Sequence, residues 1–92
     1  MKCKILHESQ GRMRIHTVQP RMTVEQADIL EYYLKARAGV LDVKVNDRTG
    51  DAIITYEGTR EGIVEALSRF SYQENAGLVP EHTGRALNRE YE

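Results

Sequence analysis

The tetrapeptide Asp47-Arg48-Thr49-Gly50 combines residue types that could take part in phosphoryl transfer. An aspartate can accept a phosphoryl group when a nucleotide, a Mg²⁺ site and a cation on the transferring phosphate surround it. The same four residues are also typical of a tight turn, in which Asp47 bonds nearby amides and Gly50 takes a positive φ. None of the other groups that phosphoryl transfer needs can be assembled from this sequence. We therefore favour the turn and predict no catalytic site in this fragment.

Cys3, His7 and His16 are the candidate ligands for a soft or borderline metal ion such as Cu, Zn or Cd. In an extended strand, Cys3 and His7 point to the same side but lie about 13 Å apart, too far for one ion to join them. Met1 and Met22 add thioethers near Cys3 and His16. The sequence therefore predicts weak metal binding at best, with surface exposure or packing as the alternative role of each residue.

Arg12 and Arg14 alternate with Met13 and Ile15, so both arginines lie on one side of a strand, with His16 extending their row. Guanidinium groups pair well with carboxylates and phosphates. The row is a candidate docking patch for an acidic surface or an anion. The alternative is a solvated face, or ion pairs with a sheet neighbour such as Asp42 or with Glu residues on a helix.

The pattern of apolar residues indicates the elements that hold these side chains. Thr23 and Gln26 form a capping box at the start of a helix, and Gly39 fits a left-handed position just past its end. Residues 2–7 and 12–17 form one bent strand or two short segments with a bulge at Gly11. The other predicted elements are strands at 40–46 and 51–56, a helix at 60–71 and a short strand at 77–80.

This order predicts an α+β fold: a ferredoxin-like βαββαβ sandwich with two helices on one face of an antiparallel sheet. Its fourth strand is weak or displaced, because Pro80 limits the last segment. Residues 1–80 form the predicted domain. Residues 81–92 are predicted to be a polar tail or linker.

Composition excludes several classes of protein. The chain has 92 residues, with 13 basic and 14 acidic residues and a net charge of −1, which argues against nucleic-acid binding. Its single cysteine cannot form an internal disulfide, which fits a reducing compartment. No apolar run approaches the ~20 residues that cross a bilayer, and no signal peptide is visible. We predict a cytoplasmic fragment that does not itself insert into a membrane.

Three groups of residues carry a resemblance to a known family. They are Gly11-Arg12-x-Arg14, Gly39-Val40-x-x-Val43-x-Val45-Asn46 and Arg48-Thr49-Gly50, within residues 4–72. This ordered set resembles a variant heavy-metal-associated domain, found at the cytoplasmic N-terminus of some bacterial heavy-metal P-type ATPases. The resemblance implies a regulatory or docking domain of an ATP-driven cation transporter. The membrane region and the phosphorylated Asp-Lys-Thr-Gly would then lie beyond residues 81–92, and the rest of the transporter is the expected partner.

The chain differs from metal-carrying members of that family in the loop before the first helix. Those members have Met-x-Cys-x-x-Cys there, whereas residues 16–22 contain no cysteine. Metal transfer by a pair of thiolates is therefore not expected. The alternative function is a small-molecule-sensing or oligomerising ferredoxin-like domain unrelated to metal transport, and self-association is left open.

Overall fold

The computed structural model of the chain describes residues 1–19 and 21–75. Four strands form one antiparallel sheet in the order β1-β2-β4-β3, with the helices on one face, as in a ferredoxin-like arrangement. The predicted α+β class is therefore confirmed. The elements are β1 (Cys3–Ser9), β2 (Arg12–Thr17), α1 (Val24–Lys35), β3 (Val40–Asn46), β4 (Asp51–Tyr56), α2 (Arg60–Arg69) and α3 (Tyr72–Asn75).

The N-terminal segment forms a hairpin of two strands. This excludes the predicted single bent strand and agrees with the alternative of two short segments, but a turn rather than a bulge separates them at Gly11. Ser9 pairs with Arg12, so Gln10 and Gly11 make the turn. Gly11 has a φ of 77°, and a Cβ there would lie 3.1 Å from the carbonyl oxygen of Tyr56. A turn this tight in a left-handed conformation favours glycine, which explains why the chain reverses here.

The hairpin also fills the place of the displaced fourth strand. In a βαββαβ sheet the last strand pairs with the free side of the first strand. Here β1 occupies that side of β2, so the N-terminus supplies the fourth strand of the sheet. The strand predicted at 77–80 and the tail predicted at 81–92 lie outside the described residues.

A β-bulge at Leu6 reverses the alternation of side chains along β1. Ile5 pairs with Ile15. The next residue of β2, Arg14, pairs with His7 rather than with Leu6. The extra residue moves His7 to the opposite face of the sheet from Cys3. Cys3 and His7 therefore do not share a face, which corrects the prediction made from simple alternation.

The start of α1 follows the sequence closely. The Thr23 hydroxyl accepts from the backbone N–H of Gln26 at 3.0 Å, and the Gln26 side chain accepts from the N–H of Thr23 at 3.1 Å. The capping box is confirmed. Gly39 has the predicted positive φ, 83°, but it belongs to the turn before β3, because α1 ends at Lys35.

The core lies between the helices and one face of the sheet. It includes buried side chains from β2, β3, β4, α1 and α2, such as Ile15, Val43, Ile54, Leu30 and Leu67. The other face of the sheet is covered by none of the described elements. The side chains on that second face are therefore free of helix packing within the described residues.

Candidate functional site

The uncovered side of the sheet, which we call the open face, holds three cross-strand rows of four side chains. The strand registers place these residues opposite one another. The rows are Ser9, Arg12, Thr55 and Asp42; His7, Arg14, Ile53 and Lys44; and Lys4, His16, Asp51 and Asn46.

Cations outnumber carboxylates on the open face. Lys4, Arg12, Arg14 and Lys44 carry positive charge there, against Asp42 and Asp51. Because the whole chain has a net charge of −1, the remaining residues carry the excess of carboxylates. A polarised charge distribution of this kind favours encounter with an acidic partner at the open face.

Arg14 and His16 both contact Asp51. The Arg14 Nη2 donates to Asp51 Oδ2 at 3.0 Å, and His16 Nδ1 lies 2.7 Å from Asp51 Oδ1. A carboxylate only accepts, so His16 carries its hydrogen on Nδ1 in this contact. The hydrogen bond from His16, reinforced by Arg14, lowers the pKa of the Asp51 carboxyl below its ordinary value. Asp51 therefore stays ionised at neutral pH and holds the Arg14 guanidinium in place.

Arg12 has a different environment from Arg14. It is exposed and lies beside Thr55, with Asp42 one strand further on. Within residues 1–19 and 21–75 it makes no ion pair or side-chain hydrogen bond. The two arginines and His16 do form the predicted row on one side of β2. The ion-pair partner of Arg14 is Asp51 rather than Asp42.

A shallow depression lies on the open face beside the β3–β4 hairpin. Its lining includes Arg14, Lys44, Asn46, Thr49, Asp51 and Ile53. Sequence patterns alone did not reveal Lys44 or Asp51 as part of a site. Their proximity to Arg14 depends on the pairing of three strands, and a local sequence pattern does not give that pairing.

The three candidate metal ligands do not converge. Cys3 is half-buried on the helix-covered side, where burial raises the pKa of its thiol, while His7 and His16 lie on the open face. In the described part of the chain, no three His, Cys, Asp or Glu side chains form a group that could hold a metal ion. Weak binding of Cu, Zn or Cd remains a prediction.

The loop between β2 and α1 is tied down by amide side chains. Gln19 Nε2 donates to the carbonyl of Arg21 at 2.8 Å and to Gln26 Oε1 at 3.2 Å, and its Oε1 accepts from the Tyr72 hydroxyl at 2.9 Å. These bonds join the loop to α1 and to α3. These contacts give the loop a structural role, and the one sulfur-containing residue in its sequence, Met22, is buried in the core.

We expect the fold to lose stability at high pH because of Tyr72. Burial, and to a smaller extent the nearby Cys3, raise the pKa of the Tyr72 phenol from 10.0 to about 12. The folded state holds this proton more tightly than the unfolded state. Protonated Tyr72 therefore stabilises the fold fully below pH 10, and this stabilisation is lost as pH rises through about 12. In denaturant unfolding at a series of alkaline pH values, the free energy of unfolding should fall less steeply with pH for Tyr72→Phe than for the unsubstituted chain. An equal slope for Tyr72→Phe and for Tyr32→Phe, at an exposed tyrosine, would contradict this.

The segment around Asp47 is a turn, as predicted. The N–H of Gly50 donates to the Asn46 carbonyl at 2.8 Å, and Gly50 has a φ of 78°. Asn46 is one side-chain acceptor in the turn, and its Oδ1 accepts from the N–H groups of Arg48 at 3.0 Å and Thr49 at 3.4 Å. A bond from the Asp47 side chain to nearby amides stays a prediction.

Comparison with protein-family models, with curated proteins and with solved structures finds no match to this chain. Within the described residues, none of the helices has the length and apolar character needed to cross a membrane.

Proposed function

We propose that this chain is a cytoplasmic N-terminal docking or regulatory domain of a heavy-metal P-type ATPase, and that its open face binds an acidic surface of the same transporter. The observation that carries the proposal is the open face itself. Four cationic side chains project from an uncovered sheet, and Arg12 keeps its charge without an ion-pair partner among the described residues. A cationic surface of this kind is suited to docking against an acidic partner.

The two arginines suit docking in complementary ways. Asp51 fixes the Arg14 guanidinium, so less side-chain entropy is lost when a partner binds it. Arg12 supplies a charge that a partner carboxylate can neutralise without displacing an existing ion pair. The residues of the resemblance support the proposal, because Gly11-Arg12-x-Arg14 contains both arginines.

The domain binds metal weakly at most under this proposal, because Cys3 lies on the other side of the sheet from His7 and His16.

The test is transport by the full-length transporter carrying Arg12→Ala and Arg14→Ala together. Exposed ion pairs contribute only about 0–1 kcal/mol, so the isolated chain should melt almost as the unsubstituted chain does. Transport, or its dependence on the metal, should change. The matched control removes two cations from the helix side, through Lys35→Ala and Arg69→Ala, and should leave transport unchanged.

Two outcomes would overturn the proposal. A large loss of stability in the Arg12 and Arg14 double variant would make the pair structural. Unchanged transport with unchanged stability would leave the row as a solvated face.

The second candidate function is an oligomerising domain unrelated to metal transport. The observation that favours it is the outer strand β1, where Ile5 and Leu6 are 42% and 51% exposed. The opposite outer strand is partly protected, because the Glu31 side chain accepts from the N–H of Val45 at 3.3 Å. Sedimentation equilibrium of the isolated chain distinguishes the two, since the docking proposal needs no self-association.

A further inference from the structure

The depression on the open face lies over Ile53, between Arg14 and Lys44. Ile53 pairs with Arg14 on one side and with Lys44 on the other, so the three residues form one cross-strand row. Strands lie about 4.8 Å apart, which puts the Cα atoms of Arg14 and Lys44 about 10 Å from each other. Two long cationic side chains at that separation can both reach one anionic group held above Ile53.

The charges of the depression favour a single carboxylate. Arg14 and Lys44 contribute two positive charges, and the ionised Asp51 offsets one of them. The remaining single positive charge is balanced by one Asp or Glu side chain. A phosphate dianion would leave an excess of negative charge next to Asp51, which costs binding energy.

The residues that line the depression determine which side chain can bind next to the carboxylate. Ile53 is half-buried and offers an apolar surface, while Asn46 and Thr49 line the same depression with polar side chains. An aliphatic side chain next to the acidic residue would cover Ile53 and exclude water from the ion pair. Excluding water strengthens the attraction between the charges.

We propose that this depression is the specificity-determining subsite of the docking surface, and that it binds one Asp or Glu side chain next to an aliphatic residue in an acidic peptide segment of the partner. The inference rests on the proposed docking function and adds the chemistry of the segment that is recognised. Lys44 and Ile53 are the residues that it adds to Arg12 and Arg14.

The test titrates the isotope-labelled chain with the blocked peptide acetyl-Gly-Glu-Leu-Gly-amide and follows the backbone amide signals by NMR. We expect saturable shifts centred on Arg14, Lys44 and Ile53, with an affinity in the millimolar range. The peptide with Gln in place of Glu should bind about fivefold more weakly, the scale of one exposed charge pair. Inorganic phosphate is a separate arm, and it should shift these signals less than the Glu peptide does.

Variants of Lys44 make the test specific. Lys44→Ala should weaken binding of the Glu peptide about fivefold, while Lys44→Arg keeps it, a difference that a misfolded protein would not show. Lys35→Ala, which removes a cation on the helix side, should leave the affinity unchanged. Equal shifts with the Glu and Gln peptides, stronger shifts with phosphate, or no effect of Lys44→Ala would each overturn the inference. Transport by the Arg12 and Arg14 variants is measured separately, so failure of this subsite is distinguishable from failure of the docking function.

Discussion

Gly39→Ala is expected to destabilise the fold by about 2–5 kcal/mol. Gly39 has a φ of 83°, and a Cβ there would lie 2.6 Å from the backbone carbonyl oxygen of Glu57. A left-handed backbone costs an alanine about 1–2 kcal/mol. The close approach adds about 1–3 kcal/mol, because a backbone atom cannot move aside as a flexible side chain can. Denaturant unfolding followed by circular dichroism measures the change.

Gly58→Ala is the matched control for Gly39→Ala. Gly58 also has a positive φ, 94°, but a Cβ there would meet no atom within 4 Å. It therefore reports the backbone cost alone. The Gly39 carbonyl accepts from the N–H of Glu57 at 2.8 Å, so a shift at Gly39 also strains the junction that follows β4. Equal losses of stability for the two variants would contradict the close packing of Gly39 against Glu57.

Tyr33→Ala is expected to cost about 3–5 kcal/mol of unfolding free energy, the usual range for truncating a large aromatic side chain in a core. Tyr33 is buried in α1, and its ring centroid lies 4.8 Å from that of Phe70. Its hydroxyl donates to the carbonyl of Ala66 at 2.8 Å, in the last turn of α2. The side chain therefore joins the two helices by packing and by a hydrogen bond.

Tyr33→Phe separates the hydrogen bond from the packing. Carbonyls in the last turn of a helix lack intrahelical partners, and Ala66 is buried, so removing the hydroxyl should cost about 1–3 kcal/mol. Chemical denaturation of Tyr33→Phe and Tyr33→Ala under the same conditions gives both values. A loss below about 0.5 kcal/mol for Tyr33→Phe would mean that water replaces the hydroxyl at Ala66.

Local patterns in the sequence predicted most of the helices and strands, the capping box at Thr23 and the buried side of β2. These features depend on residues close together in the chain, where side-chain period and capping chemistry act directly. The N-terminal hairpin was missed because the residues on both sides of Gly11 alternate. Alternation indicates strands, but it does not show whether the chain continues or reverses between them.

The composition of the open face could be predicted only in part. Arg12 and Arg14 were found because they alternate with Met13 and Ile15 on one strand. Asp51 was missed, because its contact with Arg14 depends on the pairing of β2 with β4. The bulge at Leu6 gave no signal in residue type, so the side chains after it, including His7, were placed on the wrong face.

The direct test of the proposed docking function is site-specific photo-crosslinking in the full-length P-type ATPase to which we propose that this domain belongs. A photoreactive benzoylphenylalanine replaces Thr55, which lies beside Arg12 on the open face, or Val64, which is exposed on the helix side. The proposal predicts a crosslink from position 55 to an acidic segment of that ATPase, lost on Arg12→Ala with Arg14→Ala, and none from position 64. A crosslink from position 64 alone, or one from position 55 that persists without the two arginines, would contradict it.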